Sequence, residues 1–264
     1  MTEIDKSPFE NPDHWDKAAQ HYRQTAHLFT AQYAEAALAR VALTPRSRVL
    51  DVAAGTGALA LAAARTGAQV LATDFSPAMV ACIEEAGLAN VETRTMDGQA
   101  LDLPDASFDA VFSIFGVIMF PDWRKGLKEM CRVTRPGGYG VVATWQEQGA
   151  ATFLLLGRIR SKLFPDRPGM TMPEAVQALS DPEDFARELV AAGYRDPEIE
   201  SIAHDYLLDV AALDEPDSLF GMSPDWTSLS DAEKMAVVAE VRTMAGDQPE
   251  LPIPSTALIG VAKR

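Results

Sequence analysis

The first residues whose type and spacing suggest chemistry are the two glycines of Gly55-Thr56-Gly57, which follow a short apolar run. Glycine has no Cβ, so a turn built from it can pass close to a ligand where a side chain would clash. A helix that begins after such a turn directs its free N–H groups and its positive end towards that ligand. The pattern indicates a strand, a turn and a helix. The glycine pair alone is compatible with any nucleotide cofactor, and also with a plain turn that binds no ligand.

A carboxylate strengthens the case for a ligand. Asp74 ends a second apolar run, nineteen positions after Gly55. A carboxylate at the end of the second strand can accept hydrogen bonds from the vicinal hydroxyls of a ribose. Asp74 could also serve as a negative charge at the start of the next helix, beside Ser76. The two roles are compatible.

Apolar runs alternate with helical patterns along most of the chain. The predicted strands are Arg48–Ala53, Gln69–Thr73, Val91–Met96, Phe108–Ile114, Tyr139–Trp145, Glu198–Leu208 and Thr256–Ala262. Helical patterns cover residues 14–43, Ala58–Thr66, Ser76–Glu85, Trp123–Thr134 and Asp184–Ala192. This alternation predicts an α/β fold with a mostly parallel sheet and right-handed crossovers. Such a sheet binds ligands at the carboxyl ends of its strands, where Gly55 and Asp74 lie.

Composition and charge argue against several classes of protein. The chain has 264 residues, a formal net charge of -15 and no Lys/Arg-rich segment, which disfavours a nucleic-acid substrate. No apolar run approaches the ~20 residues that cross a bilayer, and the polar N-terminus does not resemble a secretory signal. We therefore expect a cytoplasmic protein without membrane insertion. Cys82 and Cys131 lack a Cys-x-x-Cys spacing, so neither a disulfide framework nor a zinc site is expected.

Five sequence blocks in combination resemble the class I S-adenosylmethionine-dependent methyltransferases, in particular the branch similar to ubiquinone and menaquinone biosynthesis methyltransferases (methyltransferase type 11 domain). In chain order the blocks are Val49–Gly57, Ala72–Ser76, Met96–Pro104, Phe108–Asp122 and Glu129–Gly138. The resemblance implies a Rossmann-like fold with a mostly parallel seven-stranded sheet, an antiparallel C-terminal strand and helical lid elements. It also implies S-adenosylmethionine as the cofactor and S-adenosylhomocysteine as the product. The methyl group would go to an oxygen, nitrogen, carbon or sulfur atom of a small metabolite.

The resemblance also assigns single residues to the cofactor. Carried over by position, they are Asp51, Gly55 and Gly57 at its methionine end, Tyr22 at its carboxylate, Asp74 at its ribose, Phe75, Asp97, Gly98 and Gln99 at its adenine, Ser113 and Phe115 at its sulfonium, and Ala53 and Met79 around it. The chain departs from the family at Ala53, where glycine is frequent. Alanine is small enough for the turn, so we expect a slightly reshaped turn that still binds the cofactor.

The catalytic residue is harder to predict. Methyl transfer from a sulfonium is an in-line displacement, which positioning and desolvation can accelerate. A base is needed only when the acceptor loses a proton. His14 and His21 are candidates because histidine titrates near neutrality, and a solvated surface position is the alternative for each. An apolar acceptor pocket could be lined by Phe115, Ile118, Met119, Phe120 and Trp145, although core packing explains them as well. No carboxylate cluster suggests a metal site.

Other functions stay open at this point. A nicotinamide-dependent dehydrogenase also uses a strand–glycine–helix turn, but the third glycine of its G-x-G-x-x-G fingerprint is Ala60 here. The scaffold could instead keep the cofactor and catalyse a cyclisation or another pericyclic step. It could also bind the cofactor without catalysis, as a sensor or partner subunit.

We expect a single domain with three regions. Residues 1–44 are predicted to form an N-terminal helical lid, and residues 45–145 the S-adenosylmethionine-binding core. Residues 146–264 are predicted to supply substrate-side insertions and the remaining core strands. The expected partner is a small-molecule substrate, and the expected assembly is a monomer or a homodimer.

Overall fold

The computed structural model describes residues 8–146, 151–167, 169, 172–221 and 223–264. These residues form two compact units. One lies within Met1–Gln146, Pro173–Ile202 and Ala257–Arg264, and the other within Glu147–Met172 and Ala203–Thr256. Within the described ranges, no helix is both long and apolar enough to span a bilayer.

A seven-stranded sheet dominates the fold. Its strands are β1 (Arg48–Val52), β2 (Gln69–Asp74), β3 (Val91–Thr95), β4 (Phe108–Ile114), β5 (Thr134–Trp145), β6 (Arg195–Asp209) and β7 (Glu250–Lys263). Their spatial order is β3-β2-β1-β4-β5-β7-β6. Strands β1 to β5 pair in parallel, whereas β7 is antiparallel to β5. The predicted fold class is therefore confirmed, and the chain order of the strands reverses between β1 and β4, where open α/β sheets bind ligands.

The α-helices include at least one in each predicted helical pattern and others that no predicted pattern covers. They are α1 (Pro12–Gln24), α2 (Ala26–Leu38), α3 (Ala58–Ala64), α4 (Pro77–Glu84), α5 (Trp123–Val133), α6 (Ala151–Leu163), α7 (Glu174–Ala178), α8 (Pro182–Ala191), α9 (Pro216–Phe220), α10 (Pro224–Thr227) and α11 (Asp231–Ala245). Helices α4 and α5 begin at side-chain caps. The Ser76 hydroxyl accepts the Met79 N–H at the start of α4, and the Asp122 carboxylate accepts the Lys125 N–H at the start of α5.

The N-terminal helical pattern is divided at Thr25 into two helices rather than one. The Thr25 N–H and hydroxyl both donate to the His21 carbonyl, at 3.1 and 2.8 Å, and the N–H also approaches the Tyr22 carbonyl at 3.3 Å. A continuous helix would keep the N–H bond to His21 but would pair the Tyr22 carbonyl with the Ala26 N–H, whereas Thr25 has non-helical backbone angles, with φ -118° and ψ -80°. Periodicity alone did not reveal this break.

Strand β5 begins earlier than predicted. Residues Arg135–Gly138, which precede the predicted strand Tyr139–Trp145, lie within this strand at an irregularity in its pairing with β4. Gly137 has a φ of 79°, and its N–H donates to the Arg264 carbonyl at 2.9 Å. The end of the chain thus supplies the backbone partners that let this segment stay in the sheet.

The second unit has its own buried ion pair. Arg160 of α6 and Asp225 of α10 lie 2.7 Å apart, with side chains 7% and 11% exposed. The same guanidinium also donates to the Asp225 carbonyl at 2.6 Å. Removing one partner of such a pair would leave a buried charge without its counter-charge, which is strongly destabilising.

Glycines in the first unit make room for aromatic side chains against the sheet. At Gly140 of β5, a Cβ would lie only 2.2 Å from the ring of Tyr194. Tyr194 is buried, and its hydroxyl lies 3.2 Å from the Thr134 hydroxyl. Gly260 of β7 has the same relation to Phe185, at 2.8 Å. Larger residues at these glycines would displace rings that fill the core.

We predict that Gly140→Ala lowers the free energy of unfolding by about 1–3 kcal/mol, because the new methyl group overlaps the buried Tyr194 ring. Urea denaturation would measure the change. Gly157→Ala is the matched control, since nothing lies within 4 Å of a Cβ at this position in α6, and alanine favours the helix. Equal stability of Gly140→Ala and the wild type would contradict the packing described here.

Candidate functional site

A cavity of ≈ 510 Å³ lies at the carboxyl ends of β1, β2, β3 and β4, within the first unit. This size is typical of small-molecule sites. The residues that line it are Phe9, Glu10, Pro12, Trp15, Tyr22, Ala53, Gly55, Asp74, Phe75, Met79, Thr95, Met96, Asp97, Gly98, Gln99, Ile114, Phe115, Gly116, Met119, Phe120 and Pro121. Most are apolar, and a few polar groups stand among them.

The turn after β1 forms one wall of this cavity. Ala53, Gly55 and Gly57 all have positive φ, at 55°, 55° and 90°. The left-handed conformation costs a non-glycine residue about 1 kcal/mol, so Ala53 is held there against its preference. A Cβ on the neighbouring Gly116 would lie 2.5 Å from the Ala53 methyl group. Ala53, which replaces the glycine frequent in the family, therefore has room for its methyl group because Gly116 opposite it has no side chain.

Asp74 joins this turn to the next one. Its carboxylate accepts the Gly55 N–H at 2.8 Å and the Ser76 N–H at 2.9 Å, and the residue is 5% exposed. Burial raises the pKa of Asp74 to about 6, although these backbone bonds favour the charged form. The nearby Asp16 carboxylate raises this pKa further. Asp74 thus presents a constrained carboxylate whose charge changes just below neutral pH.

Asp51 lies beneath the cavity and does not line it. Its carboxylate accepts the Ala60 N–H at 3.0 Å, near the start of α3. Burial raises the pKa of Asp51 to about 8, and the charge of Asp74 adds to this shift. Gly57 is also beneath the cavity, where a Cβ would lie 2.9 Å from the Ile83 side chain. These two residues shape the turn from below.

The turn after β3 carries a second carboxylate at the exposed edge of the cavity. Asp97 Oδ1 accepts the Gln99 N–H at 2.9 Å and the Gln99 side-chain amide at 3.0 Å. Gln99 Oε1 in turn accepts the Asp122 N–H at 2.8 Å. A Cβ on Gly98 would lie 2.4 Å from the Phe120 ring, so this glycine gives the ring its place in the cavity wall.

The segment after β4 has an unusual backbone. Phe115 has a φ of 60°, which is strained for a bulky residue, and its ring stacks on Trp145 at 3.9 Å between centroids. Ser113 is fully buried beneath it. Its hydroxyl donates to the Val52 carbonyl at 2.9 Å and accepts the Val117 N–H at 3.1 Å. Ser113 therefore fixes the turn that presents Phe115, and does not itself line the cavity.

The N-terminal segment covers the cavity. The Trp15 indole donates to the Phe9 carbonyl at 2.9 Å, which ties the short turn Pro8–Glu10 to α1. The Tyr22 ring lies over Gly55, with Cε1 3.9 Å from where a Cβ would be. Burial raises the pKa of Tyr22, whose hydroxyl bonds to Thr30 of α2.

The two histidines predicted as catalytic candidates lie outside the cavity lining. His14 is behind it, where its ring packs edge-on against Phe9 and Trp15, at 5.5 and 5.6 Å between centroids. Burial and Lys17 lower the pKa of His14. His21 is half-buried on α1. A different histidine, His27, is closer to the glycine turn, with Nδ1 2.7 Å from the Thr56 hydroxyl.

The cavity brings together most of the residues predicted for the cofactor, namely Tyr22, Ala53, Gly55, Asp74, Phe75, Met79, Asp97, Gly98, Gln99 and Phe115. Three residues from the suggested acceptor pocket also line it: Phe115, Met119 and Phe120. Ile118 and Trp145 are buried in the core instead. Phe9, Glu10 and Pro12 were missed, because they precede the first helical pattern and belong to no motif. Across the described ranges, no group of three or more His, Cys, Asp and Glu could hold a metal ion.

Comparisons with known proteins point to one family. A family model described as a methyltransferase domain matches residues 50–142. The demethylmenaquinone methyltransferase of Corynebacterium efficiens is 34% identical over 207 residues, which cover 73% of this chain and 89% of the relative. The protein of the same name from Deinococcus radiodurans is 37% identical over 175 residues, covering 61% and 72%.

A solved structure shows the same fold. Phosphoethanolamine N-methyltransferase 2 of Haemonchus contortus, in complex with S-adenosyl-L-methionine, aligns with a TM-score of 0.53 at 18% identity, covering 88% of this chain and 52% of that one. The sheet order, the family match and the curated relatives agree with one another. The chain belongs to the class I S-adenosylmethionine-dependent methyltransferases, resembles the menaquinone biosynthesis enzymes, and transfers the methyl group of S-adenosylmethionine to a small molecule.

Proposed function

We propose that this enzyme methylates an apolar aromatic acceptor of the hydroquinone type, with the cofactor held along the ends of β1, β2 and β3. The observation that carries the proposal is the apolar wall after β4, where Phe115, Met119 and Phe120 line the same cavity as the polar turns. A pocket of this composition favours a flat apolar ring over a charged metabolite.

The polar groups of the cavity match the functional groups of the cofactor. The Asp74 carboxylate would accept hydrogen bonds from the two ribose hydroxyls, and Asp97 would accept one from the adenine amino group. The glycine turn at Gly55 would lie against the methionine end, beneath the Tyr22 ring. Backbone N–H groups and a helix start at this turn favour a carboxylate there.

The curated relatives support the choice of acceptor. The two relatives described above are named for demethylmenaquinone. With a net charge of -15, the chain would also repel a nucleic acid, which favours a small molecule over a nucleic acid as the acceptor. Met119 is flexible and polarisable, so it can adapt to the ring of an apolar substrate.

The chemistry requires one proton to leave the acceptor. A ring carbon or hydroxyl oxygen attacks the methyl carbon, the carbon–sulfur bond breaks, and its electron pair stays on sulfur to give S-adenosylhomocysteine. The titratable side chains that line the cavity are Glu10, Tyr22, Asp74 and Asp97. The last three are assigned to the cofactor, so we propose that the Glu10 carboxylate takes the proton.

We predict that the purified enzyme, given S-adenosylmethionine and a reduced naphthoquinol that lacks the ring methyl, forms S-adenosylhomocysteine and a singly methylated quinol. Mass spectrometry of both products would measure this. A panel of polar amines and carboxylic acids serves as the comparison. Turnover with that panel and none with the quinol would overturn the proposed acceptor class, and a rearranged, unmethylated product would indicate a pericyclic reaction instead.

We predict that the affinity for S-adenosylhomocysteine falls as the pH drops from 7 through about 6. The pKa of Asp74 is raised to about 6 in the free protein. Ribose hydroxyls donate more strongly to the charged carboxylate than to the neutral acid, so protonation competes with binding, and Kd rises by up to about tenfold per pH unit below that value. Calorimetric titration between pH 5 and 8 measures this.

The variant Asp74→Ala provides the control for the pH effect. At pH 8 it should bind S-adenosylhomocysteine more weakly by about 1–3 kcal/mol, because two hydrogen bonds to a charged group are lost. Its Kd should also no longer depend on pH near 6. A folded Asp74→Ala protein with wild-type affinity would show that the ribose lies elsewhere.

We predict that Glu10→Gln lowers kcat for the quinol by about 10²-fold or more and leaves the Kd of S-adenosylhomocysteine unchanged, because the amide keeps the shape but cannot accept the proton. Steady-state kinetics and calorimetry separate the two effects. If kcat is unchanged while the cofactor still binds, solvent or another group removes the proton.

A further inference from the structure

His27 is bonded to the middle residue of the glycine turn. Its Nδ1 lies 2.7 Å from the Thr56 hydroxyl, which joins α2 to the turn between β1 and α3. Thr56 is 3% exposed, so its hydroxyl has little access to water, and the bond is difficult to replace. No sequence motif includes His27.

The turn is held from two sides. On one side the Gly55 N–H donates to the Asp74 carboxylate at 2.8 Å. On the other side stands the His27 imidazole. The residues around Thr56 are glycines with positive φ, which have wide conformational freedom in the absence of such restraints. The turn therefore depends on tertiary bonds for its shape.

A second polar contact ties the N-terminal helices to the site. Asp16 Oδ1 of α1 accepts the Ser76 hydroxyl at 2.5 Å and the Ala78 N–H at 3.1 Å. Ser76 follows the turn that carries Asp74, so α1 bonds beside the predicted ribose site and α2 bonds to the glycine turn. The N-terminal helices are thus connected to both cofactor turns by hydrogen bonds.

We propose that His27 is a positioning residue for the methyl-transfer reaction: through the Thr56 hydroxyl it fixes the glycine turn in its cofactor-binding shape and couples that turn to the N-terminal helices. The proposal rests on the cofactor placement proposed above. His27 does not line the cavity, so it acts on the cofactor through Thr56 and the Gly55 backbone. The preformed turn loses less conformational freedom on binding, which raises the affinity.

The charge state of His27 suits this bond. Burial lowers the pKa of His27, and the Arg23 guanidinium of α1 lowers it further. In the neutral ring, Nδ1 either accepts a hydrogen bond from the Thr56 hydroxyl or donates one to it, depending on the tautomer. An asparagine side chain can place a donor or an acceptor near the Nδ1 position, whereas phenylalanine keeps the ring shape without either. These two substitutions distinguish the effect of losing the hydrogen bond from the effect of changing the packing of the ring.

The experiment compares His27→Phe, His27→Asn, Thr56→Val and the double variant His27→Phe/Thr56→Val. Thr66→Val is the matched control, because it removes a threonine hydroxyl at the other end of α3, where that hydroxyl donates to the Ala63 carbonyl. Calorimetry gives the Kd of S-adenosylhomocysteine, kinetics give KM and kcat, and thermal unfolding verifies that each variant is folded.

We expect His27→Phe and Thr56→Val each to raise the Kd of S-adenosylhomocysteine and the KM of S-adenosylmethionine about threefold to tenfold, with little change in kcat. The double variant should resemble either single one, because both remove the same bond. His27→Asn should restore most of the affinity. Thr66→Val should bind as the wild type does.

Additive effects in the double variant, or wild-type Kd in a folded His27→Phe protein, would overturn the positioning role. Asp74→Ala, measured in the same series, distinguishes this failure from failure of the cofactor placement. If Asp74→Ala loses affinity while the His27 variants do not, the cofactor placement is not contradicted and His27 is merely structural. If Asp74→Ala keeps its affinity, the placement itself is wrong.

Discussion

The site depends on one buried carboxylate that bonds to two separate turns. Asp74 ends β2, yet it accepts N–H groups from Gly55, after β1, and from Ser76, at the start of α4. Burial of a charged carboxylate is unfavourable and raises the pKa of Asp74, and backbone donors offset part of that cost. The same arrangement leaves a negatively charged acceptor at the end of β2, one strand away from the point between β1 and β4 where the strand order reverses. The Asp74 carboxylate therefore both connects the turns of the fold and provides an acceptor in the cavity.

The N-terminal helices cover the side of the cavity that the sheet does not enclose. The sheet edge supplies turns with exposed N–H groups and carboxylates, but without a cover these would bind a cofactor in full contact with water. Trp15, Tyr22 and the turn before α1 line the other side of the cavity. They are held there because Asp16 accepts a hydrogen bond from the Ser76 hydroxyl and His27 shares one with the Thr56 hydroxyl. Exclusion of water strengthens polar interactions within the cavity, which matters for a reaction that disperses a sulfonium charge.

Much of this arrangement could be predicted from the sequence. Strand and helix periodicity, with glycines and an aspartate at strand ends, predicted the sheet and the side of it that carries the cavity. The residues the resemblance assigned at Asp74 and Asp97 lie together in that cavity. The break at Thr25, the burial of Ser113 beneath Phe115 and the contact from His27 to Thr56 could not be predicted. Each depends on which distant groups meet in three dimensions, and neither propensity nor spacing encodes that.

The most direct test of the account is calorimetric titration of the purified wild-type protein at pH 8 with S-adenosylhomocysteine and, separately, with NADH. Both ligands carry an adenosine, so the pair tests the identity of the cofactor as well as the presence of an adenosine site. We predict micromolar binding of S-adenosylhomocysteine with one ligand per chain and no binding of NADH. Binding of NADH alone, or of neither ligand, would contradict the assignment of this cavity to S-adenosylmethionine.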